Sequence, residues 1–217
     1  MSVDGYIDDG QPERLMLSNA ADFDRVDAVR AECDAILVGA DTVRRDNPRL
    51  MVRSAFRRDR RSADGRPASP VKVTITRTGN LDPAACFFAA GEAEKLVYCE
   101  TGALPGLTAA LGDAATVVDA GEPTDLRVIL ADLHGRGIQR LMVEGGGRTH
   151  TQFLTLGLVD ELHLVVAPFF VGDSSAPRFV GDGIFPFGNG RRMALVGVEQ
   201  LDDVVLLRYD LAGAADG

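Results

Sequence analysis

Leu141-Met142-Val143-Glu144-Gly145-Gly146-Gly147-Arg148-Thr149-His150 decides how this chain reads. A short apolar run ends in a carboxylate, three glycines follow, and an apolar-periodic segment begins after them. The order is strand, open loop, helix start. Glycines expose backbone N–H groups and accept positive φ without steric cost. A helix N-terminus adds unpaired N–H groups and a partial positive charge. Such a loop suits a phosphate or pyrophosphate; the plain alternative is a tight turn that only needs glycine.

A second junction of the same kind lies upstream. Asp22 to Cys33 carries apolar residues at helical spacing with acids in its first turn, which predicts a helix. Ala35-Ile36-Leu37-Val38 reads as a buried parallel strand, and Gly39-Ala40-Asp41-Thr42 as the next loop-to-helix turn, ended by Asn47-Pro48. Residues 54–70, rich in Arg, Ser, Asp and Pro, read as a loop. Val71–Thr76 alternates and is β-branched, so it is a strand. Residues 96–99, 116–118, 161–166, 194–200 and 204–210 are further strands, the last two forming a hairpin around Asp202-Asp203. Helices are expected over 104–111, 125–133 (closed by Gly135 or Gly137) and 149–156. Strands alternating with helices predict an α/β fold, a mostly parallel sheet with helices on both faces and a C-terminal antiparallel hairpin at its edge. Residues 1–211 read as a single domain and 212–217 as a frayed tail.

The totals exclude several classes. Over 217 residues the net charge is −9, against general nucleic-acid binding. No apolar run approaches the ~18 residues of a membrane span, and the N-terminus lacks a signal-peptide layout, so a cytoplasmic protein is expected. Cys33, Cys86 and Cys99 have no paired spacing, and His134, His150 and His163 are scattered, so no metal site is expected. Nine arginines fall between Arg44 and Arg66. One Arg-rich segment in an acidic chain fits a small phosphorylated ligand, although Arg57 to Arg66 read as a solvated loop. P-loop, α/β-hydrolase and ordinary dinucleotide fingerprints are absent. In an open parallel sheet ligands bind at the carboxyl ends of strands, where both strand-loop-helix junctions lie.

The series Ser2-Val-Asp-Gly5, Asp34 to Thr42, Asp46-Asn-Pro-Arg-Leu-Met-Val-Arg53, Val143 to Gly147, Gly157 to Leu162 and Ala167-Pro168 through Gly172 resembles the pyrimidine reductases of riboflavin biosynthesis. It is similar to the reductase half of the bacterial bifunctional deaminase-reductase, over roughly residues 1–210. The resemblance implies a dihydrofolate-reductase-like fold, NADPH as hydride donor, a homodimer, and reduction of the ribosyl group of 5-amino-6-(5-phosphoribosylamino)uracil or a close analogue to ribityl. It implies cofactor contacts at Thr42, Asp46, Gly145, Gly146, Gly147, Arg148 and Thr149. It implies substrate contacts at Arg30, Leu50, Arg53 and Glu144, the arginines facing phosphate, with Glu144 and Asp46 nearest the chemistry. No zinc-deaminase motif is present, so a stand-alone reductase is expected. The chain starts at the Ser-x-Asp-Gly motif, where relatives carry a strand with a lysine upstream. Arg77 is a candidate for the 2′-phosphate of NADPH. Arg14 and Met16 replace a hydroxyl and an aromatic found in relatives. That difference motivates an alternative, reduction of a pterin or folate-like heterocycle on the same fold; a third reading is a non-catalytic NADPH-binding protein.

Overall fold

The computed structural model describes residues 1–213 apart from Pro12 and Arg14. The departure noted at Arg14 and the tail residues 214–217 lie outside the described residues. The chain forms two compact units, Val26–Gly146 and, from the two ends, Met1–Arg25 with Gly147 onward.

The Val26–Gly146 unit holds five strands: β1 (Ala35–Gly39), β2 (Val71–Thr76), β3 (Lys95–Cys99), β4 (Thr116–Asp119) and β5 (Leu141–Gly145). All pair in parallel, in the order β4-β3-β2-β1-β5. Every residue from Ala35 to Val38 is buried. Side chains alternate between the two faces of a strand, so both faces of β1 are covered, as an apolar central strand requires. Helix α1 (Ala20–Glu32) leads into β1, and α2 (Ala40–Asp46) leaves it. Ile36, Val38, Val43, Leu50, Phe87 and Val97 belong to one buried apolar cluster. Phe87 comes from α4 (Cys86–Ala89), a single turn with no periodicity to announce it. Its burial stabilises by about 2–3 kcal/mol.

The Arg-rich segment departs from its reading as a solvated loop. Ala55–Ala63 is helix α3, started by the Ser54 hydroxyl, which accepts from the Arg57 N–H. Arg61 is buried and donates to the carbonyls of Ala31, Cys33 and Pro67; Arg66 donates to those of Glu32 and Cys33 and pairs with Asp34. The last carbonyls of α1 have no intrahelical partner, and two guanidinium groups meet them. Lys72, fully buried on β2, does the same for α4, donating to Phe87 and Ala90. Burial pushes its pKa down to about 8. Helices α5 (Leu104–Leu111) and α6 (Leu126–Gly135) complete the unit, α6 capped by Asp125 and followed by Gly137 at φ 87°.

The unit built from the chain ends contains α7 (Gly147–Thr155), β6 (Glu161–Val166), β7 (Ala194–Leu201) and β8 (Val204–Asp210). The predicted hairpin is β7–β8, turned at Asp202 with φ 53°. Rather than extending the parallel sheet, it pairs with β6 in an antiparallel sheet of order β6-β8-β7. The N-terminal stretch makes two isolated bridges, Ser2 with Ala167 and Tyr6 with Arg178.

Candidate functional site

Glu144 owes its orientation to a bulge. On β5, Val143 is opposite Leu37 and Gly145 is opposite Val38, so Glu144 is the extra residue. A bulge releases its residue from strict alternation and re-aims the side chain. Glu144 meets Arg30 from the last turn of α1 in a two-pronged ion pair, Nε to Oε1 and Nη2 to Oε2, both 2.5 Å. The two side chains are only 11% and 14% exposed. Burial alone would lower the Arg30 pKa; the hydrogen bonds and charge of Glu144 outweigh it and raise the pKa. Arg30 also donates to the Met51 carbonyl at 3.3 Å.

The other residues expected to contact substrate lie along the 50–54 segment. Leu50 is buried in the core cluster and has φ 46°. A bulky residue with positive φ is an outlier. Its side chain serves packing, so its backbone is what remains to face a ligand. Arg53 is exposed. Its backbone N–H donates to Asp27 and its carbonyl accepts from Arg58. Asp27 and Arg58 were not singled out by the sequence; the one local signal was an acid one turn before Arg30 on an otherwise apolar stripe.

Among the expected cofactor contacts, Thr42 sits in the first turn of α2, where a Cβ on Gly145 would lie 3.2 Å from its Oγ1. The close approach of hydroxyl and backbone depends on glycine at 145. Asp46 is exposed at the end of α2, followed by Asn47 in the left-handed region; the Asn47 side chain accepts from the Cys86 N–H. Gly146 has φ 84°. In the other unit, a Cβ on Gly147 would lie 2.2 Å from the Arg178 carbonyl oxygen, so only glycine fits there. Arg148 is exposed and Thr149 buried in the first turn of α7. The face of α7 bearing Arg148, Thr151, Gln152 and Thr155 lines a cleft of about 680 Å³ together with Pro177, Arg178 and Gly181–Ile184. Arg77, directly after β2, is exposed. Among the described residues no group of His, Cys, Asp and Glu is arranged to hold a metal ion, and no helix is long and apolar enough to cross a membrane.

Residues 1–207 match the family model described as the RibD C-terminal domain. The chain belongs to that family. Within it, the chain is 37% identical over 183 residues to a 2,5-diamino-6-ribosylamino-4(3H)-pyrimidinone 5′-phosphate reductase of Archaeoglobus fulgidus, covering 84% of this chain and 83% of the relative. It is 36% identical over 199 residues to the protein of the same name from Methanothermobacter thermautotrophicus, covering 91% and 88%. Among solved structures, Acinetobacter baumannii RibD aligns with TM-score 0.77 and 26% identity, over 96% of this chain and 55% of that one. A pyrimidine reductase-like protein from Corynebacterium diphtheriae aligns with TM-score 0.80 and 24% identity over 96% and 88%, a likeness of fold. The fold of this RibD C-terminal domain chain is thus the dihydrofolate-reductase-like one the motifs implied.

Proposed function

We propose that this protein is an NADPH-dependent reductase in riboflavin biosynthesis, acting on a 5′-phosphorylated ribosylamino-pyrimidine and converting its ribosyl group to ribityl. The observation that carries this reading is the Arg30–Glu144 pair at the carboxyl end of β5, in a chain of this family. The relatives that are 2,5-diamino-6-ribosylamino-4(3H)-pyrimidinone 5′-phosphate reductases favour the 2,5-diamino-pyrimidinone as the close analogue of the aminouracil, and a phosphorylated pyrimidine over a pterin or folate-like ring.

The residues present fit a nicotinamide dinucleotide. Gly147, where only glycine fits, and Gly145, where a Cβ would crowd Thr42 and Val38, flank Gly146 at positive φ, and exposed N–H groups at a helix start suit a pyrophosphate. The chemistry such a cofactor would supply there is a hydride for C1′ of the ring-opened sugar. Thr42, Asp46 and Gly145 to Thr149 hold and orient the cofactor. Glu144, acting with the proton that ring opening or imine reduction requires, faces the sugar. Arg30 holds that carboxylate in place through the two-pronged pair. Arg53 pairs with the substrate phosphate. In balance, the reduction would add one hydride at C1′, supplied by the cofactor, and one proton at the nitrogen. The enzyme is cytoplasmic and acts as a homodimer in this reading, which light scattering of the purified protein checks.

The test is turnover. Purified protein should oxidise NADPH with the phosphorylated ribosylamino-pyrimidine, and NADPH at a hundred times its Kd should add about 2.7 kcal/mol of stability, visible as a raised Tm. Glu144→Gln should lower kcat more than it raises KM. Absence of any thermal shift with NADPH or NADH, or turnover indifferent to the substrate phosphate, overturns the proposal.

A further inference from the structure

The 51–54 segment belongs to no helix or strand, yet its backbone polar groups meet charged side chains. Asp27, 3% exposed on α1, accepts the Arg53 N–H at Oδ1 (2.5 Å) and the Ser54 N–H at Oδ2 (3.1 Å). From α3, Arg58 donates through one nitrogen to the carbonyls of Val52 (3.1 Å) and Arg53 (2.5 Å). Arg53 thus has its N–H and its C=O each held by a charged group, one from either flanking helix. The guanidinium paired with Asp27 is that of Arg57, at 3.0 Å; the bond from Asp27 to Arg53 goes to the backbone. Burial opposes ionisation of Asp27, but the two N–H groups and Arg57 outweigh it and hold the carboxyl below its ordinary pKa.

A surface segment can satisfy its backbone with water. Spending buried charge on it fixes where the Arg53 side chain starts. An anion site gains affinity when its donor is already in place, because ordering is not repeated on binding, and a displacement near 1 Å at a positioning group can cost about a hundredfold in rate.

We propose that Asp27, seconded by Arg58, is a positioning residue that mounts Arg53 for the phosphate of the substrate. The inference rests on the reductase reading above. Asp27 itself touches neither substrate nor cofactor; it acts through the backbone of residue 53.

The test compares the phosphorylated substrate with its dephosphorylated form in the full-length enzyme. Asp27→Ala is expected to raise KM for the phosphorylated form about tenfold, with kcat within about twofold. KM for the dephosphorylated form and for NADPH should stay unchanged. In an Arg53→Ala background the same substitution should add nothing, because the mounted group is gone. Asp27→Asn, which keeps one acceptor for the Arg53 N–H but loses the charge, should fall between; if Asp27→Ala fails to fold, Asp27→Asn and its cycle with Arg53→Ala carry the test. A merely structural role would lower Tm and affect both substrates alike, and that result, or an additive cycle, overturns the proposal. If wild-type enzyme itself does not distinguish the two substrates, the phosphate reading fails and this inference falls with it. If it does distinguish them and the cycle is additive, only this inference falls.

Discussion

Replacing Arg30 with methionine isolates what the Arg30–Glu144 pair contributes. The substitution keeps most of the side-chain volume and removes the charge. The pair is two-pronged with both contacts at 2.5 Å, which places the charge centres roughly 4 Å apart. At an effective dielectric near 20 the attraction is about 4 kcal/mol. Removing one partner of a buried pair costs about 3–5 kcal/mol, because the other charge stays behind. The side chains here keep 11% and 14% of their exposure, so water reaches Glu144 and a loss of roughly 2–4 kcal/mol is expected. For a chain of this size that lowers Tm by roughly 5–15 °C. The double variant Arg30→Met/Glu144→Leu removes the stranded charge and should return to within about 1 kcal/mol of wild type while remaining inactive. Urea and thermal unfolding of the single and double variants measure both effects. A single variant as stable as wild type, or a double variant as unstable as the single, refutes the reasoning.

Three further outcomes are expected. Gly147→Ala places a Cβ 2.2 Å from the Arg178 carbonyl and should cost roughly 1–3 kcal/mol; calorimetry checks it, and an unchanged Tm counts against the tight approach. Lys72, pushed down to about 8 by burial, binds its proton more weakly folded than unfolded. The stability of wild type relative to Lys72→Met should therefore rise from about pH 8 to about pH 10.5, and parallel urea midpoints over that range would contradict this. Asp27 has its folded pKa lowered, so the stability it contributes is present above about pH 4 and lost as pH falls below that. Asp27→Asn should flatten the acid limb of the stability curve, which fluorescence-independent circular dichroism follows.

The strands were legible because their signal is local. Val71–Thr76 alternates and is β-branched, and Ala35–Val38 is continuously apolar; both occupy the elements expected of them. Helix α3 was not legible. Arg61 on it and Arg66 just beyond it looked like part of a solvated run, yet they meet carbonyls at the end of α1, roughly thirty positions away. No window of sequence holds both halves of that match. Phe87 and Phe88 were missed for a related reason: a four-residue helix is too short to show a period, and the aromatic pair is placed by the cluster it enters. At the site, Arg30 and Glu144 were each singled out, one for phosphate and one as a substrate-facing carboxylate, but their pairing was not. It depends on the bulge at Glu144 and joins residues 114 positions apart. Leu50 was expected at the substrate; that its side chain packs in the core and its backbone is left-handed was not legible, because both depend on the cluster around it.

The strand order has a consequence for synthesis. During translation β1, β2, β3 and β4 emerge first and are neighbours in sequence as well as in the sheet. The place on the other side of β1 stays open until β5 is made. Until then Ala35-Ile36-Leu37-Val38-Gly39 is an uncharged apolar edge with unpaired N–H and C=O groups, the kind of edge that recruits other chains. A nascent or truncated chain ending before Leu141 should therefore be prone to aggregate. The strand that brings Glu144 to Arg30 is also the one that closes this edge, so the edge is covered and the ion pair formed in the same docking event.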